Sequence, residues 1–167
     1  MKIAIVGASQ EKWNRMEEVQ VRHYIRNILD YTDPPILVSG GSPKGGVDIW
    51  AEETADIMYL VKLIFKPEVE QWEDKVTDND GLEFHGKVED PVEQQLFIRK
   101  GFKSRNIQIA EACDILYCFS PGSKTLPQYG VKNARLEEVW NGGIWTANYA
   151  EKLGKKVVRI VVKGKFE

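Results

Sequence analysis

Five short apolar runs recur along the chain, at 3–6, 36–38, 61–65, 115–119 and 157–162. They are largely continuous, whereas a strand with one solvated face alternates apolar and polar residues. Apolar residues recur at helical spacing between the runs. Helices are predicted at 17–29, 49–60, 104–112 and 146–153. This alternation predicts an α/β fold: a three-layer, doubly wound sheet of about five mostly parallel strands with helices on both faces.

The length of 167 residues suits one domain that spans 1–167. The net charge of -2 gives no reason to expect a long nucleic acid as a partner. The two cysteines, Cys113 and Cys118, are too few for a disulfide framework and are expected to be buried free thiols. We expect no signal peptide and no membrane partner, because the first run begins at residue 3 and no run approaches the length of a membrane span. A cytoplasmic protein is therefore expected.

A glycine-rich loop directly follows the second apolar run. Its candidate ligand-binding residues are Ser39, Gly40, Gly41, Lys44, Gly45, Gly46 and Asp48. Such a turn between a strand and a helix presents backbone N–H groups to an anion, usually a phosphate, and Lys44 adds a positive charge. Asp48 stands where the N-cap of the next helix is expected, which is compatible with a place beside the ligand. The alternative is a glycine-rich connection with no ligand.

A second turn of small residues, Gly142-Gly143, precedes the helix predicted from Thr146. Free N–H groups and the helix dipole favour an anion there, and the Thr146 hydroxyl is a further candidate donor. Plain helix initiation by small residues explains the same pattern. If both turns bind phosphate, they form two halves of one anion site at the carboxyl edge of the sheet.

Further candidate residues are expected at the same edge: Gly7, Ala8, Ser9, Arg105, Asn106 and Ser120. The first three end the first strand and are expected to form the floor of a pocket. Arg105 and Asn106 are candidates to bind a phosphate or a sugar, and the fork of the arginine suits bidentate contact with a phosphate. The alternative for this pair is a surface helix start that is capped by Ser104.

Residues 68–100 are rich in charge and lack a clear period before 92–98. We interpret them as an irregular excursion that contains a short helix, either a functional lid or a solvated surface segment. His85 lies there among acidic residues, but the spacing is not diagnostic of metal ligands, and no metal site is predicted. Another short helix is predicted at 133–140.

Five tryptophans are many for a chain of this length. Trp13 and Trp145 are expected near the ligand edge, where an indole can stack on a nucleobase, although packing in the core is the commoner use. Trp50 on the second predicted helix is a candidate for an interface between two copies of the chain.

Four segments in this order resemble the SLOG superfamily. They are Val6-Gly7-Ala8-Ser9, residues 38–55 with both glycine pairs, residues 105–116, and residues 142–155. This Rossmann-like group includes the LOG cytokinin-activating phosphoribohydrolases, the DprA single-strand DNA binders, molybdenum cofactor carrier proteins and small YpsA-type proteins. The resemblance covers most of the chain apart from about 68–100. It implies a Rossmann-like core sheet of five strands, a nucleotide or nucleotide-like ligand, and a homodimer.

Two departures from the pattern of this superfamily bear on function. The LOG enzymes carry a PGGxGTxxE motif whose acidic residue serves hydrolysis of a ribosyl bond, and this chain has Trp145 and Tyr149 in place of the later glycine and the glutamate. A tyrosine is not a carboxylate at neutral pH. Many relatives read Gly-Ser-Arg where this chain has Gly7-Ala8-Ser9, and the missing arginine weakens the resemblance to the DNA binders.

The sequence therefore predicts binding or sensing of a small phosphorylated molecule, either a nucleotide or a pterin-type phosphate, with no assigned catalytic residue. One alternative is a phosphoribohydrolase that acts on nucleoside monophosphates, in which Glu52, Glu137 or Glu138 replaces the missing glutamate. A second is a carrier of a molybdenum-cofactor-type ligand. Single-stranded DNA binding is less favoured by the net charge and the missing arginine.

Overall fold

The computed structural model describes residues 1–78, 80–83, 96–122 and 141–162. His85, the helix predicted at 133–140 and the residues 92–95 lie outside this part of the chain. In chain order the elements are β1 (Lys2–Gly7), a short 3₁₀ helix (Gln10–Lys12), α1 (Arg15–Leu29), β2 (Ile36–Ser39), α2 (Val47–Ile57), β3 (Lys62–Ile64), β4 (Lys75–Thr77), β5 (Phe97–Arg99), α3 (Phe102–Ala112), β6 (Ile115–Pro121), α4 (Gly142–Lys152) and β7 (Lys156–Val162).

Five strands form one sheet in the order β3-β2-β1-β6-β7, and every neighbouring pair in it is parallel. The central strand is β1, in which Ala4 pairs with Val38 of β2 on one side and Leu116 of β6 on the other. The predicted α/β class, with five parallel strands and helices between them, is confirmed.

The strand β1 shows why the apolar runs are continuous. Ile3 and Ile5 belong to the core cluster that also contains residues of α1 and α2. Ala4 and Val6 belong to a second cluster, with residues of α3 and α4. All four side chains are buried. Helices therefore cover both faces of the sheet, and each face has its own hydrophobic core.

All four helices begin before the residues predicted from the sequence, because the first turns are set by caps outside the apolar stripes. At α1, Asn14 and Glu17 form a capping box, in which each side chain accepts a hydrogen bond from the backbone N–H of the other. At α3, Gly101 is the N-cap, so Ser104 lies inside the first turn and is not the cap.

The prediction that Asp48 is the N-cap of α2 is wrong, because Gly46 occupies that position. Gly46 has φ 89° and ψ -146°, a conformation open to glycine and strained for other residues. The chain can therefore turn into the helix two residues before Asp48. That carboxyl group lies in the first turn of α2 and is buried.

The excursion predicted at 68–100 contains a two-stranded antiparallel sheet. Its strand β5 pairs with β4 through Phe97 and Thr77, among other residues. The prediction of a short helix in 92–98 is therefore wrong for residues 97 and 98, which belong to β5. The error arises because the strand pairs with a segment twenty residues earlier, which local periodicity does not register.

Hydrogen bonds tie this excursion to the start of α3. The Trp72 carbonyl accepts from the Lys103 N–H at 3.0 Å. The Asp74 carboxylate accepts from the Gly101 N–H at 2.9 Å and from the Ser104 hydroxyl at 2.7 Å. The Ser104 and Gly101 bonds lower the pKa of the Asp74 carboxyl. The segment 72–74 is thereby fixed beside the edge at which α3 begins.

Cys113 and Cys118 are buried free thiols, as predicted. Burial raises the pKa of the Cys113 thiol, which keeps it protonated. None of the helices in the described ranges is long and apolar enough to cross a membrane. The same ranges hold no group of three or more His, Cys, Asp or Glu side chains arranged to bind a metal ion.

Candidate functional site

A cleft of about 410 Å³ opens at the carboxyl edge of the sheet. Its floor is the end of β1, and its walls come from the loops after β1 and β2, the segment around residue 72, and the first turns of α3 and α4. The lining residues, among those described, are Val6, Gly7, Ser9, Glu11, Lys12, Ser42, Lys44, Asp48, Trp72, Phe102, Arg105, Asn106, Ile109, Asn141, Gly142, Gly143 and Thr146. Because β1 connects to β2 on one side and pairs with β6 on the other, this is the topological switch point, where doubly wound sheets bind ligands.

The cleft collects part of the predicted ligand-binding set. The predicted residues that line it are Gly7, Ser9, Lys44, Asp48, Arg105, Asn106, Gly142, Gly143 and Thr146. The predicted residues that do not line it are Ala8, Ser39, Gly40, Gly41, Gly45, Gly46 and Ser120. Two residues of the second group form hydrogen bonds with the first: Ser39 with Asp48, and Gly40 with Arg105. They therefore hold lining residues in place without lining the cleft themselves. A direct role of any of these residues in ligand binding stays a prediction.

Close backbone packing explains two of the glycines. A Cβ on Gly143 would lie 2.8 Å from the Cα and N atoms of Gly7, and one on Gly7 would lie 2.5 Å from the Phe119 carbonyl oxygen. The start of α4 therefore rests directly on the end of β1. Gly142 is exposed, and a Cβ there would have no atom of the described part of the chain within 4 Å. Of the two glycines predicted to bind an anion at this turn, Gly143 is a packing residue, and Gly142 is open to the cleft.

The loop after β2 folds against the loop after β1. The Ala8 carbonyl accepts from the Val47 N–H at 3.3 Å, and a Cβ on Gly46 would lie 2.4 Å from that same carbonyl oxygen. Only glycine permits this approach. The contact brings Lys44 to the same cleft as Lys12, and both lysines are exposed.

Glu11 also lines the cleft between these loops. Its carboxylate accepts from the Ser9 hydroxyl at 2.5 Å, and this bond lowers its pKa, with smaller contributions from Lys44 and Lys12. The side of the cleft formed by the two loops therefore carries two cations and one anion. We call this side the basic wall and define it by Lys12 and Lys44.

Arg105 is a buried cation, and two of its guanidinium nitrogen atoms, Nε and Nη1, have protein partners. Its Nη1 donates to the Gly40 carbonyl at 2.5 Å and lies 3.9 Å from Asp48 Oδ2. Its Nε donates to Asn106 Oδ1 at 2.7 Å. Burial lowers the pKa of Arg105, but a guanidinium keeps its proton at neutral pH. Arg105, which the sequence predicted as a phosphate-binding residue, thus ties α3 to the glycine-rich loop at Gly40 and to the first turn of α2 at Asp48.

Asp48 is a buried carboxyl group at the cleft. Burial raises its pKa to about 6, although Arg105 and the Ser42 N–H act in the opposite direction. Glu52, one turn along α2, raises the pKa of Asp48 further, and Glu52 Oε1 is itself buried with no hydrogen-bond partner among the residues that the structure describes. A group that exchanges its proton near neutral pH inside a cleft is suited to acid–base chemistry.

Asn141 holds the start of α4 in place. Its Oδ1 accepts from the Gly143 N–H at 2.9 Å, and its Nδ2 donates to the buried Ser120 Oγ at 3.0 Å. The Thr146 hydroxyl donates to the Gly142 carbonyl at 3.1 Å, so it already has an acceptor within the helix. Since Gly143 is buried and its N–H is capped, Gly142 is the residue of this turn that a ligand can reach.

The tryptophan that lines the cleft is Trp72, rather than either of the two that the sequence favoured. Trp145 lies behind it, with the two ring centroids 5.0 Å apart in an edge-on arrangement. The Trp145 ring also stacks on Tyr149 at 5.4 Å. Tyr149, at the position of the LOG glutamate, is therefore part of an aromatic stack, and it does not line the cleft.

Trp13 and Trp50 are core residues, 8% and 2% exposed. The Trp13 Nε1 donates to the Ala8 carbonyl at 3.0 Å, and its ring lies 6.0 Å from the Trp50 ring. Trp13 supports the loop after β1 from beneath without lining the cleft. The assignment of Trp50 to an interface between two copies is wrong, because its side chain is buried in the core. The homodimer itself stays a prediction.

Some residues that line the cleft were not predicted from the sequence, among them Lys12, Trp72, Phe102 and Asn141. An asparagine directly before the first glycine of a helix start is a frequent N-cap, so Asn141 had a readable signal. Lys12 follows the Gly7-Ala8-Ser9 turn closely and could have been included with it. Trp72 had no local signal, because it reaches the cleft only through the docking of the excursion on α3. Phe102 lies one helical turn before the predicted Asn106, on the same face of α3.

No protein-family model and no curated protein matches this chain. Two solved structures do match. DNA processing protein A (DprA) from Streptococcus pneumoniae is 16% identical with a TM-score of 0.52, and the match covers 95% of this chain and 49% of that chain. DprA from Helicobacter pylori, whose structure was described for its single-stranded DNA binding mode, is 17% identical with a TM-score of 0.52. That match covers 95% of this chain and 64% of the Helicobacter chain.

This chain shares the Rossmann-like fold of DprA. The likeness is one of fold. Membership of the superfamily that the sequence resembles stays a prediction. The chain spans 49% and 64% of the two DprA chains, so it corresponds to a part of each. Identities of 16% and 17% establish the fold and nothing finer.

Proposed function

We propose that the cleft binds or senses a nucleotide or another nucleotide-derived phosphorylated small molecule. The observation that carries this proposal is the convergence of Lys12, Lys44 and Gly142 on one cleft at the switch point. The two ammonium groups exceed the single Glu11 carboxylate of the same wall by one positive charge, which favours an anion. The start of α4 adds its exposed first residue, Gly142, and the positive end of the helix dipole.

The size of the cleft favours a small ligand. Its volume of about 410 Å³ lies within the range of about 300–1,000 Å³ typical of small-molecule sites. Its lining combines the basic wall with apolar and aromatic surface from Val6, Ile109 and Phe102. A long polyanion would require an extended basic surface, whereas the whole chain has a net charge of -2.

Replacing Lys44 by alanine is expected to weaken binding of a nucleoside monophosphate about tenfold, or about 1.4 kcal/mol, because one charge-assisted contact is lost. Isothermal titration calorimetry with AMP, CMP, GMP and UMP measures this effect. Lys152→Ala is the matched control, since Lys152 is an exposed lysine at the far end of α4. Its affinity is expected to equal that of the wild type.

Binding of single-stranded DNA instead of a mononucleotide is the result that would contradict this proposal. Single-stranded DNA is the ligand class described for the Helicobacter neighbour. A titration with an oligodeoxythymidylate separates the two. If the oligonucleotide binds with a steep dependence on salt, and no mononucleotide binds, the proposal is wrong. Equal affinities of Lys44→Ala and Lys152→Ala for the mononucleotides would also contradict it.

An N-glycosidic hydrolase is the second candidate, and Asp48 is the observation that favours it. Glu52, proposed from the sequence as a substitute base, does not line the cleft, and residues 137 and 138 lie outside the described part of the chain. Asp48 lines the cleft and has a pKa of about 6. Incubation with AMP, followed by chromatography for free adenine, decides between binding alone and hydrolysis. Release that is lost in Asp48→Asn would assign the base.

A further inference from the structure

Trp72 is held in a fixed place at the cleft, yet it remains 38% exposed. Its carbonyl accepts from the Lys103 N–H at 3.0 Å, and the preceding Gln71 carbonyl accepts from the Phe102 N–H at 2.8 Å. The Trp145 ring braces its indole edge-on at 5.0 Å. An indole that served only to fill the core would be buried, as Trp50 is.

The backbone around Trp72 has little freedom to move. A Cβ on Gly101 would lie 2.4–2.7 Å from three carbonyl oxygens of residues 71–73. The Asp74 carboxylate holds the same point through the Gly101 N–H and the Ser104 hydroxyl. The ring is therefore pre-organised, and a ligand that contacts it does not have to order the segment first.

Phe102 and Asn106 extend this side of the cleft along one face of α3. The Phe102 ring is positioned by Arg105, whose guanidinium carbon lies 5.5 Å from the ring centroid. Asn106 is 5% exposed, and its Oδ1 accepts from Arg105 Nε, which leaves its Nδ2 as the donor side of the amide. We call Trp72 and Phe102 the aromatic wall. It lies at the start of α3, whereas the basic wall comes from the loops that precede α1 and α2.

We propose that the aromatic wall receives the nucleobase of a nucleoside phosphate, while the phosphate lies toward Lys12 and Lys44. A flat ring stacks on an indole or phenyl face, and the Asn106 amide can donate to a ring acceptor. This inference rests on the proposed function and adds to it the orientation of the ligand and Trp72 as a residue that determines specificity. A sugar phosphate without a base fills only the basic half of the cleft.

The test compares two ligands on three variants by isothermal titration calorimetry. Trp72→Leu is expected to weaken AMP binding about tenfold or more, and Trp72→Phe, which keeps a ring, by about threefold or less. Ribose 5-phosphate has no base, so its affinity is expected to stay unchanged in both variants. Tyr59→Leu is the control, because Tyr59 is 96% exposed at the end of α2 that is remote from the cleft.

Each other outcome is decisive. If Trp72→Leu weakens AMP and ribose 5-phosphate equally, Trp72 only supports the fold, and the inference is wrong. If wild-type protein binds ribose 5-phosphate as tightly as AMP, the phosphate site is supported, and the proposal that the aromatic wall receives the base is wrong. If neither AMP, CMP, GMP, UMP nor ribose 5-phosphate binds the wild type, the proposed function fails and the inference fails with it.

Discussion

Replacement of Gly143 by alanine is expected to lower the free energy of unfolding by about 2–3 kcal/mol, the usual cost of overpacking. The added Cβ would lie 2.8 Å from the backbone N and Cα of Gly7, and neither strand nor helix can move aside cheaply. The strand end cannot retreat, because a Cβ at Gly7 would itself lie 2.5 Å from the Phe119 carbonyl oxygen. Urea denaturation followed by circular dichroism measures the change.

The neighbouring Gly142 supplies the matched control. A Cβ there meets no atom within 4 Å, so Gly142→Ala is expected to change the free energy of unfolding by less than about 1 kcal/mol, in the stabilising direction. Equal stabilities of the two variants would show that α4 does not rest on β1 as described. The comparison also separates the two glycines that look equivalent in the sequence.

Replacement of Arg105 by methionine is expected to lower the free energy of unfolding by about 3–5 kcal/mol at pH 8, because Asp48 then remains buried without its cation. Arg159→Met is the control. Arg159 forms a surface ion pair with Glu151, and its loss is expected to cost less than about 1 kcal/mol. Thermal and urea unfolding of both variants provide the measurement.

The loss of unfolding free energy in Arg105→Met is expected to increase as the pH rises. Arg105 lowers the pKa of Asp48, so its removal raises that pKa above the value of about 6. The pKa of Asp48 is higher in the folded protein than its unfolded value of 3.8. The free energy of unfolding therefore falls as the pH rises from the unfolded pKa toward the folded pKa. In the wild type this fall ends near pH 6, whereas in Arg105→Met it continues above pH 6. The difference in stability between the two proteins is therefore larger at pH 8 than at pH 5. A deficit that is larger at pH 5 than at pH 8 would refute this account of the pair.

The sheet was predictable because its signal is local. A strand that is covered on both faces must be apolar throughout, as Ile3 to Val6 are, and each such run became a strand of the parallel sheet. The first residues of the helices were harder to predict from the sequence, since they depend on single capping residues. Gly46 starts α2 by a backbone conformation that glycine allows, and nothing in the sequence distinguishes it from the adjacent Gly45.

The candidate site was predictable only in part. Lys44 and Gly142 lie at the ends of predicted elements, and topology places such residues at one edge of the sheet. Arg105 was placed correctly at that edge, but its partners come from about sixty residues earlier: Gly40 from the loop after β2 and Asp48 from the first turn of α2. Trp72 depends on the docking of the excursion on α3, a contact that no local pattern encodes.

Amide chemical-shift mapping by nuclear magnetic resonance tests most directly whether this cleft is a phosphate-ligand site. The four nucleoside monophosphates are each titrated into ¹⁵N-labelled protein. We expect saturable shifts centred on Lys12, Lys44 and Gly142, with Lys62 and Gly154 at the opposite edge of the sheet unchanged. No saturable shift with any of the four, or shifts centred on that opposite edge, would contradict the proposed function.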